Sequence, residues 1–314
     1  MDASHSRRRI IAALMICVAT ACRAAAAPAV QPRALSAEVA VGPQYDSTHV
    51  YVAPDDLASF TESFVATFGG HASNPVAATV TPTPSSTQFQ YVMTPVGTLS
   101  VFAYTSPVPY PFGLERTGYL VTDMDQALAA ARSAGASIVV APFKDSIGID
   151  AIIEWPGGVK MQLYWHFTPP AYDALASVPE NRIYVAPDRI DNFVNAFQHF
   201  SHGKVISDDW HANGGELASP GLTFRRIRFE SKFGKMQIMA TDGQLPYPFG
   251  REVSGYEVGD LSDALRKAGL HGAKILVQPM YSDGRTSAMV EFPGGFVAEI
   301  HSPERRQGSL LNDR

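Results

Sequence analysis

The chain has 314 residues, of which 46% are hydrophobic and 18% are charged, a composition typical of a globular protein with one or two domains. A formal charge of −5 at pH 7, with no basic run after the N-terminal segment, argues against an electrostatic attraction to nucleic acid. The 25 glycines and 23 prolines are spread along the chain, which excludes a low-complexity segment and indicates many turns.

Residues 1–27 are predicted to form a secretory signal peptide. Three arginines at 7–9 precede the short apolar run IIAALMICVATA, and small residues of the Ala-x-Ala type follow it. The apolar run is short for a membrane span, and a buried first helix is the alternative interpretation. We therefore expect an exported protein, either periplasmic or secreted.

Both cysteines of the chain lie in this segment. Cleavage after Cys22 would leave a mature protein without a thiol, which excludes disulfide bonds and thiol catalysis. The sequence ATAC, which ends at Cys22, resembles a lipoprotein cleavage box, and a lipid-anchored form is therefore the alternative to a free one. Association with a membrane is expected only in that case. Residues 28–45 are predicted to be a linker.

Three sequence blocks occur twice, in the same order. The pairs are STHVYVAPDD and ENRIYVAPDR, then PYPFGLERTGYLVTD and PYPFGREVSGYEVGD, then IIEWPGGVKMQL and MVEFPGGFVAEI. Three ordered matches indicate a tandem duplication. We therefore predict one domain over 46–167, a second over 178–303, and a polar tail over 304–314.

Each repeat is predicted to contain two βαβββ modules. In the first module an alternating strand, HVYVA, is followed by a capping aspartate and by apolar residues at helical spacing, namely Leu57, Phe60, Phe64 and Phe68. The second module begins with the strand TGYLVT and the cap Asp123, and three short strands follow its helix: SIVVAPF, AIIEW and VKMQLYW. The two PYPFG segments are predicted to be stiff crossovers between modules, because proline fixes φ and glycine permits turns.

Paired βαβββ modules with a strand–Asp–helix opening and a strand–Pro-Gly-Gly–strand ending resemble the vicinal oxygen chelate superfamily. That superfamily includes glyoxalase I, the bleomycin and fosfomycin resistance proteins and the extradiol dioxygenases. The resemblance implies an α+β fold of two tandem domains. Each domain would curl its paired modules into a cupped, mostly antiparallel sheet around a small-molecule site.

The resemblance also implies metal ligands on the first and last strands of each module. The corresponding residues of this chain are His49, Ser100, Thr117, Gln162, Arg182, Gln237, Ser254 and Glu299. Only His49 and Glu299 among them are good ligands for a divalent metal. A site for Zn, Fe, Mn or Ni is therefore predicted from His49 and Glu299, with an incomplete ligand set.

The sequence is compatible with two ways of pairing the modules. If each repeat closes on itself, His49 and Glu299 lie in separate cups and do not share a metal. If the modules pair in the swapped manner of glyoxalase I, the first module faces the fourth. His49 and Glu299 would then share one cup.

Further roles are predicted for residues near these strands. Glu299 and His301 are two residues apart on a strand and face the same side, which makes them the catalytic acid–base candidates, with His301 as a third ligand in the alternative. Glu299 would act as a base only if its pKa were raised, and pairing with Arg182 is the other role open to it. For His49 the alternative to a metal ligand is a strand histidine satisfied by a neighbouring partner.

The substrate-binding candidates are Arg182, Tyr51, Tyr184 and Gln162. Arg182 would place a fixed positive charge suited to a carboxylate or phosphate. Tyrosines recur on the first strands, and they are expected either to line a cup or to pack in the core, namely Tyr51, Tyr119, Tyr184 and Tyr256.

Three functions follow from these features. The first is a metal-dependent lyase, isomerase or dioxygenase acting on a small molecule. The second is a metal-free protein that binds and sequesters a small molecule, as the resistance proteins do. The third is an interaction module with vestigial sites.

Overall fold

The structure of the protein is a computed structural model that describes residues 38–303. The predicted signal peptide with its two cysteines, the first part of the predicted linker and the predicted polar tail lie outside the described residues. Within residues 38–303, no helix combines the length and the apolar character that crossing a membrane requires.

The first repeat forms one sheet of nine strands with two helices. Its elements are β1 (Ser47–Val52), α1 (Leu57–Phe68), β2 (His71–Ala72), β3 (Val76–Ala78), β4 (Thr87–Thr94), β5 (Gly97–Tyr104), β6 (Thr117–Leu120), α2 (Met124–Ala134), β7 (Ser137–Lys144), β8 (Gly148–Glu154) and β9 (Lys160–His166). The strand order is β2-β4-β5-β1-β6-β9-β8-β7, and β3 also pairs with β4.

The second repeat forms a sheet of eight strands in the matching order. Its elements are β10 (Glu180–Val185), α3 (Ile190–Ser201), β11 (Lys204–Asn213), β12 (Thr223–Ser231), β13 (Gly234–Ala240), β14 (Val253–Glu257), α4 (Leu261–Leu270), β15 (Lys274–Ser282), β16 (Arg285–Glu291) and β17 (Val297–Pro303). The strand order is β11-β12-β13-β10-β14-β17-β16-β15. The predicted α+β fold of two cupped, mostly antiparallel sheets is confirmed.

The sheets decide between the two pairings of the modules. In each repeat the first strands of its two modules pair antiparallel, β1 with β6 and β10 with β14. No strand of one sheet is hydrogen-bonded to the other sheet within residues 38–303. Each cup is therefore built from one repeat, and the swapped arrangement does not occur in the sheets.

One strand of the first module departs from the repeat. Where the third module has the continuous strand β11, the first has two short pieces, β2 and β3, followed by a loop. Pro75, Pro82 and Pro84 lie in this stretch. Proline lacks an amide donor and is disfavoured inside a strand, which accounts for the interruption.

The helices cover the sheet faces that turn away from the cups, and there the two repeats pack together. Helix α1 packs against α4, and α2 packs against α3. The rings of Phe64 and Tyr256 lie 5.4 Å apart between the first and fourth modules, and those of Trp155 and Phe197 lie 5.6 Å apart between the second and third. Two hydrophobic cores thus cross between the repeats.

A buried hydrogen-bond network joins the repeats between these two cores. We call it the seam network; its members come from the first strands of all four modules, namely Thr48, Thr117, Tyr119, Asn181, Ser254 and Tyr256. The Asn181 amide donates to the Thr117 hydroxyl at 2.9 Å and to the Tyr119 hydroxyl at 3.0 Å. Tyr119 and Tyr256 therefore belong to the interior between the repeats and do not line a cup.

Residues 38–45 differ from the linker predicted for 28–45. Val39 and Ala40 are buried, and Ala40 forms a bridge with Val121. The amide of Thr122 donates to the Val39 carbonyl at 2.8 Å. This segment packs on the first sheet because its apolar side chains reach the core shared by the second and third modules.

Candidate functional site

A cavity of about 320 Å³ occupies the cup of the first sheet. In β1 the side chains alternate between core and cup: Val50 and Val52 join the core, whereas His49 and Tyr51 line the cavity. Val76 and Ile147 are 52% and 42% exposed and mark its mouth. Eight aromatic rings contribute to the wall, those of Tyr51, Phe89, Tyr91, Phe102, Tyr104, Phe112, Tyr164 and Tyr172.

Several of these rings form a stacked wall. The ring of Tyr51 stacks on Phe102 with centroids 5.2 Å apart and on Tyr104 with centroids 6.1 Å apart. Phe89 packs against Phe102 at 5.4 Å. The Tyr104 hydroxyl is buried and has no protein partner among the residues described. The wall therefore offers flat apolar faces and one free hydroxyl.

A polar cluster of His49, Glu115 and Tyr51 lies at one side of the cavity. His49 Nδ1 is 3.4 Å from Glu115 Oε1, and the Tyr51 hydroxyl donates to the same oxygen. Glu115 is fully buried, and its Oε2 has no partner among residues 38–303. Burial raises the pKa of Tyr51, and the charge of Glu115 raises it further. His49 thus has the neighbouring partner that was the alternative to metal binding.

Sequence reasoning missed Glu115. The signal was available, because a glutamate stands at the same place after both PYPFG copies, Glu115 in the first and Glu252 in the second. The predicted crossover places it: the loop ends at Gly113, where φ is +88°, and Glu115 turns inward just before β6.

Gly118 makes room for this cluster. A Cβ at Gly118 would lie 2.7 Å from His49 Nε2 and 3.1 Å from the ring of Tyr164. Contacts that short are not tolerated without movement of the neighbours. The cup-facing residue of β6 is therefore Gly118, and Thr117, predicted at a ligand position, faces the seam network.

The opposite side of the cavity is acidic. Asp150 is 7% exposed, and Gln162, a predicted substrate-binding residue, hydrogen-bonds to it in the same cavity. Burial and then the charge of Asp145 raise the pKa of Asp150, against the hydrogen bond from Gln162. Asp145 is held in a turn, where its Oδ1 accepts from the amides of Ile147 at 2.9 Å and Gly148 at 2.6 Å.

The cup of the second sheet is occupied by charged side chains. In the strand register, Arg226 and Arg228 occupy the positions of Phe89 and Tyr91. Arg226 Nη1 is 2.6 Å from Glu216 Oε1, and Arg228 Nη2 is 2.7 Å from Asp283 Oδ2. A smaller cavity of about 200 Å³ remains beside His301, Arg228 and Arg285. Ion pairs thus replace the aromatic wall.

Glu299 lies between two arginines of the second repeat, Arg182 and Arg285. Its Oε2 is 3.0 Å from Arg182 Nε, and its Oε1 is 3.1 Å from Arg285 Nη2. Burial alone would raise the pKa of Glu299, but the positive charges of Arg182 and Arg285 outweigh burial and hold this pKa well below its usual range. The Arg182–Glu299 pairing predicted as an alternative is present. A lowered pKa is the opposite of what a general base requires.

His301 lies in the same group, with its Nδ1 3.5 Å from Glu299 Oε1. Tyr184 also belongs to the second repeat, where it packs against a small apolar cluster around Met239. Of the four predicted substrate-binding residues, Tyr51 and Gln162 line the aromatic cavity, and Arg182 and Tyr184 lie in the second repeat.

The structure does not bring His49 and Glu299 together, because they lie on the separate sheets of the two repeats. The metal site predicted from this pair is therefore not formed between them. In the first cup the donors on the predicted strands are His49, Ser100 and Gln162, with the Ser100 hydroxyl bonded to Ser47 at 2.7 Å. In the described part of the chain, no three His, Cys, Asp or Glu side chains gather as a metal site. This donor set does not fit a divalent ion.

No protein-family model matches the sequence, and no curated protein matches it either. Solved structures do match the fold. A variant of 4-hydroxymandelate synthase from Streptomyces coelicolor aligns with a TM-score of 0.53 at 13% identity, over 87% of this chain and 94% of that one. An extradiol ring-cleaving dioxygenase from B. fuscum aligns with a TM-score of 0.54 at 15% identity, over 90% of this chain and 76% of that one.

These likenesses, together with the two curled sheets, define the fold class. The chain has the vicinal oxygen chelate fold in a tandem, two-sheet form, as the repeated modules predicted. At 13% and 15% identity the likeness establishes the fold, whereas the activity depends on the residues of the cups.

Proposed function

We propose that the first cup binds a small aromatic molecule that carries a hydroxyl group, and that the protein acts by binding or sequestering it. The observation that supports this proposal is the cavity of about 320 Å³ whose wall has eight aromatic rings and whose side holds the His49–Glu115–Tyr51 cluster. Ligand pockets in proteins have volumes of about 300–1,000 Å³, with mostly apolar walls and a few polar groups that fix orientation.

Different residues of the cup would bind the ring and the hydroxyl group of the ligand. The stacked wall of Tyr51, Phe102 and Tyr104 suits a flat ring, and each aromatic contact contributes about 0.5–1.5 kcal/mol beyond its buried area. A ligand hydroxyl could bond to His49 or to the free hydroxyl of Tyr104. The named activities of the structural neighbours, 4-hydroxymandelate synthesis and ring cleavage, also concern small molecules, which supports a small-molecule role.

The proposal is tested by isothermal titration of a panel of meta-substituted phenols, with neutral, cationic and anionic substituents, into the purified mature protein. Phe102 and Met239 hold the same place in the two sheets, which provides a matched pair of variants. Phe102→Leu should weaken binding about fivefold, because it removes one ring contact of about 1 kcal/mol. Met239→Leu should leave binding unchanged.

Saturable binding at one site, weakened by Phe102→Leu alone, is the expected result. If no member of the panel binds the wild-type protein, or if the two variants weaken binding equally, the proposal is wrong. Mass spectrometry of the recovered ligand separates a binder from an enzyme, since a binder returns the ligand unchanged.

A second candidate function is favoured by the contact between His49 and Glu115. If Nδ1 donates to Glu115, Nε2 is left as an acceptor over Gly118, and the imidazole could take a proton from a bound molecule. This enzyme would need no metal ligand set. Exchange of carbon-bound protons of a bound phenol in D₂O, lost in His49→Gln and in Glu115→Gln, would support it; the same exchange with and without protein would exclude it.

We also propose that the protein is exported, on the basis of the signal-peptide pattern over residues 1–27. The mass of the mature chain tests this. A chain that begins near residue 28 indicates a periplasmic or secreted protein, and a chain that begins at a diacylated Cys22 indicates a lipid anchor. An intact N-terminus would contradict export.

A further inference from the structure

The side chains that line the first cup favour one sign of charge on its ligand. Among the cavity-lining residues, all within the described chain, there is no lysine or arginine, whereas two carboxylates, Asp145 and Asp150, face the cavity. Asp150 is 7% exposed, and its one hydrogen-bond donor, Gln162, carries no charge. A buried carboxylate without a countercharge is costly, which favours either its protonation or a cation beside it.

In the second cup, the buried carboxylates are neutralised by arginine side chains of the protein itself. There the buried carboxylate of Glu299 has Arg182 and Arg285 within 3.0 and 3.1 Å. Glu216 likewise has Arg226 at 2.6 Å. At the places of Arg226 and Arg228 the first cup has Phe89 and Tyr91. The first cup thus lacks the arginines that its duplicate has. It is also lined by His49 and His166, and burial lowers the pKa of His166 against the charge of Asp145, which favours the neutral ring.

The aromatic wall adds an attraction of the same sign. The faces of aromatic rings carry partial negative charge and attract cations that lie within about 6 Å of the ring centre. Around the acidic side, Tyr91 and Tyr172 have centroids 6.4 Å apart, and the ring of Tyr164 also borders the cavity. Burial raises the pKa of Tyr91, the neighbouring Tyr172 raises it next, and the charges of Asp145 and Asp150 add smaller rises.

We infer that the first cup selects organic cations, so that its ligand is an aromatic hydroxyl compound with an ammonium group directed at Asp150 between Tyr91 and Tyr164. This inference rests on the proposed function and adds the charge of the ligand to it. A quaternary or protonated amine supplies the countercharge that Asp150 lacks, while the hydroxylated ring lies against the stacked wall near His49.

Three meta-substituted phenols test the charge. They are 3-hydroxyphenyltrimethylammonium, its uncharged carbon isostere 3-tert-butylphenol, and the anion 3-hydroxybenzoate. Each is titrated calorimetrically into the wild-type protein at low and high salt. The cation should bind about tenfold more tightly than 3-tert-butylphenol, and 3-hydroxybenzoate should bind most weakly.

Two variants place the effect at Asp150. Asp150→Asn keeps the shape and removes the charge, and it should weaken the cation about tenfold while changing 3-tert-butylphenol by less than about twofold. Asp125→Asn removes the same charge from an exposed site on α2 and should change neither. The comparison of the three phenols on the wild-type protein does not depend on how well either variant folds.

The outcomes separate the two proposals. If 3-tert-butylphenol or 3-hydroxybenzoate binds as tightly as the cation, or if Asp150→Asn leaves the cation's Kd unchanged, the charge inference is overturned while the aromatic pocket stands. If none of the three binds, the proposed function itself fails, and the inference fails with it.

Discussion

At the scale of single residues, the first cup depends on a glycine. Gly118 lies under both His49 and Tyr164, and any side chain there would enter the space that the two rings use. A strand glycine often marks a place where another group approaches closely. Here that group is the imidazole that contacts Glu115.

Gly118→Ala should therefore displace His49 and weaken phenol binding by about tenfold, with a loss of about 1–3 kcal/mol in the free energy of unfolding. Calorimetric titration and urea denaturation measure the two effects. Gly255→Ala is the matched control in the second sheet, where the new Cβ would be 3.0 Å from the Glu180 carbonyl oxygen and 3.4 Å from the nearest His301 atom, and it should leave phenol binding unchanged. Unchanged binding in Gly118→Ala would contradict the role given to this close approach.

Residue identity also explains which site residues could be predicted from the sequence. His49, Tyr51 and Gln162 were found because they lie on strands that the repeat aligns. Phe89, Tyr91 and Asp150 were missed because the matching positions in the other repeat hold Arg226, Arg228 and Ser287. Similarity between copies identifies what the fold requires, and these positions are where the copies differ.

At the scale of elements, the second cup is a set of strands held by buried ion pairs. Glu299 on β17 reaches Arg182 on β10 and Arg285 on β16. Removing one member of such a group leaves charges without partners, which is more damaging than never having had them.

Glu299→Gln should lower the free energy of unfolding by about 3–5 kcal/mol at pH 7, measured by urea denaturation. The folded-state pKa of Glu299 lies below its unfolded value of about 4.3, so this carboxylate stabilises the fold above that pH, and the contribution is lost as pH falls toward the folded pKa. The difference between wild type and variant should therefore shrink below about pH 4. Glu62→Gln removes an exposed carboxylate and should change stability by less than about 0.5 kcal/mol. An equal loss at every pH would contradict the ionic role.

The prediction of which side chains face the cup was wrong by one residue in β6 and β14. Thr117 and Ser254 were aligned with ligand positions, and the structure turns both into the seam network. Successive side chains of a strand face opposite sides, so an error of one residue exchanges the cup for the core. Strand β6 has only four residues, TGYL, and they do not alternate clearly between polar and apolar. Its sequence alone therefore does not predict which side chains face the cup.

At the scale of the whole molecule, each repeat forms its own cupped sheet, and the helix-covered faces of the two sheets pack against each other. The repeats and the βαβββ order were predictable because local periodicity specifies them. The pairing of modules was not, since either arrangement satisfies the same strands and helices. The choice depends on long-range contacts such as those of α1 with α4.

Because the shared cores and the seam network join both repeats, residues 38–303 should unfold in a single transition. Asn181→Ala removes two donated bonds and one accepted bond and should cost about 1–3 kcal/mol. The control Asn192→Ala lies on an exposed position of α3 and should change stability by less than about 0.5 kcal/mol. Urea denaturation followed by circular dichroism and by tryptophan fluorescence provides the measurement, and two separate transitions in the wild-type protein would show that the repeats are independent.

Phe89 and Tyr91 of the first sheet occupy the positions that Arg226 and Arg228 hold in the second, and this difference bears on how such a protein can change over time. In a symmetric dimer of identical chains, every substitution enters both binding sites at once. A tandem chain is free of that constraint, because each copy mutates alone. One copy can therefore keep an open site while the other exchanges its ligand for internal ion pairs and serves as a scaffold for its twin.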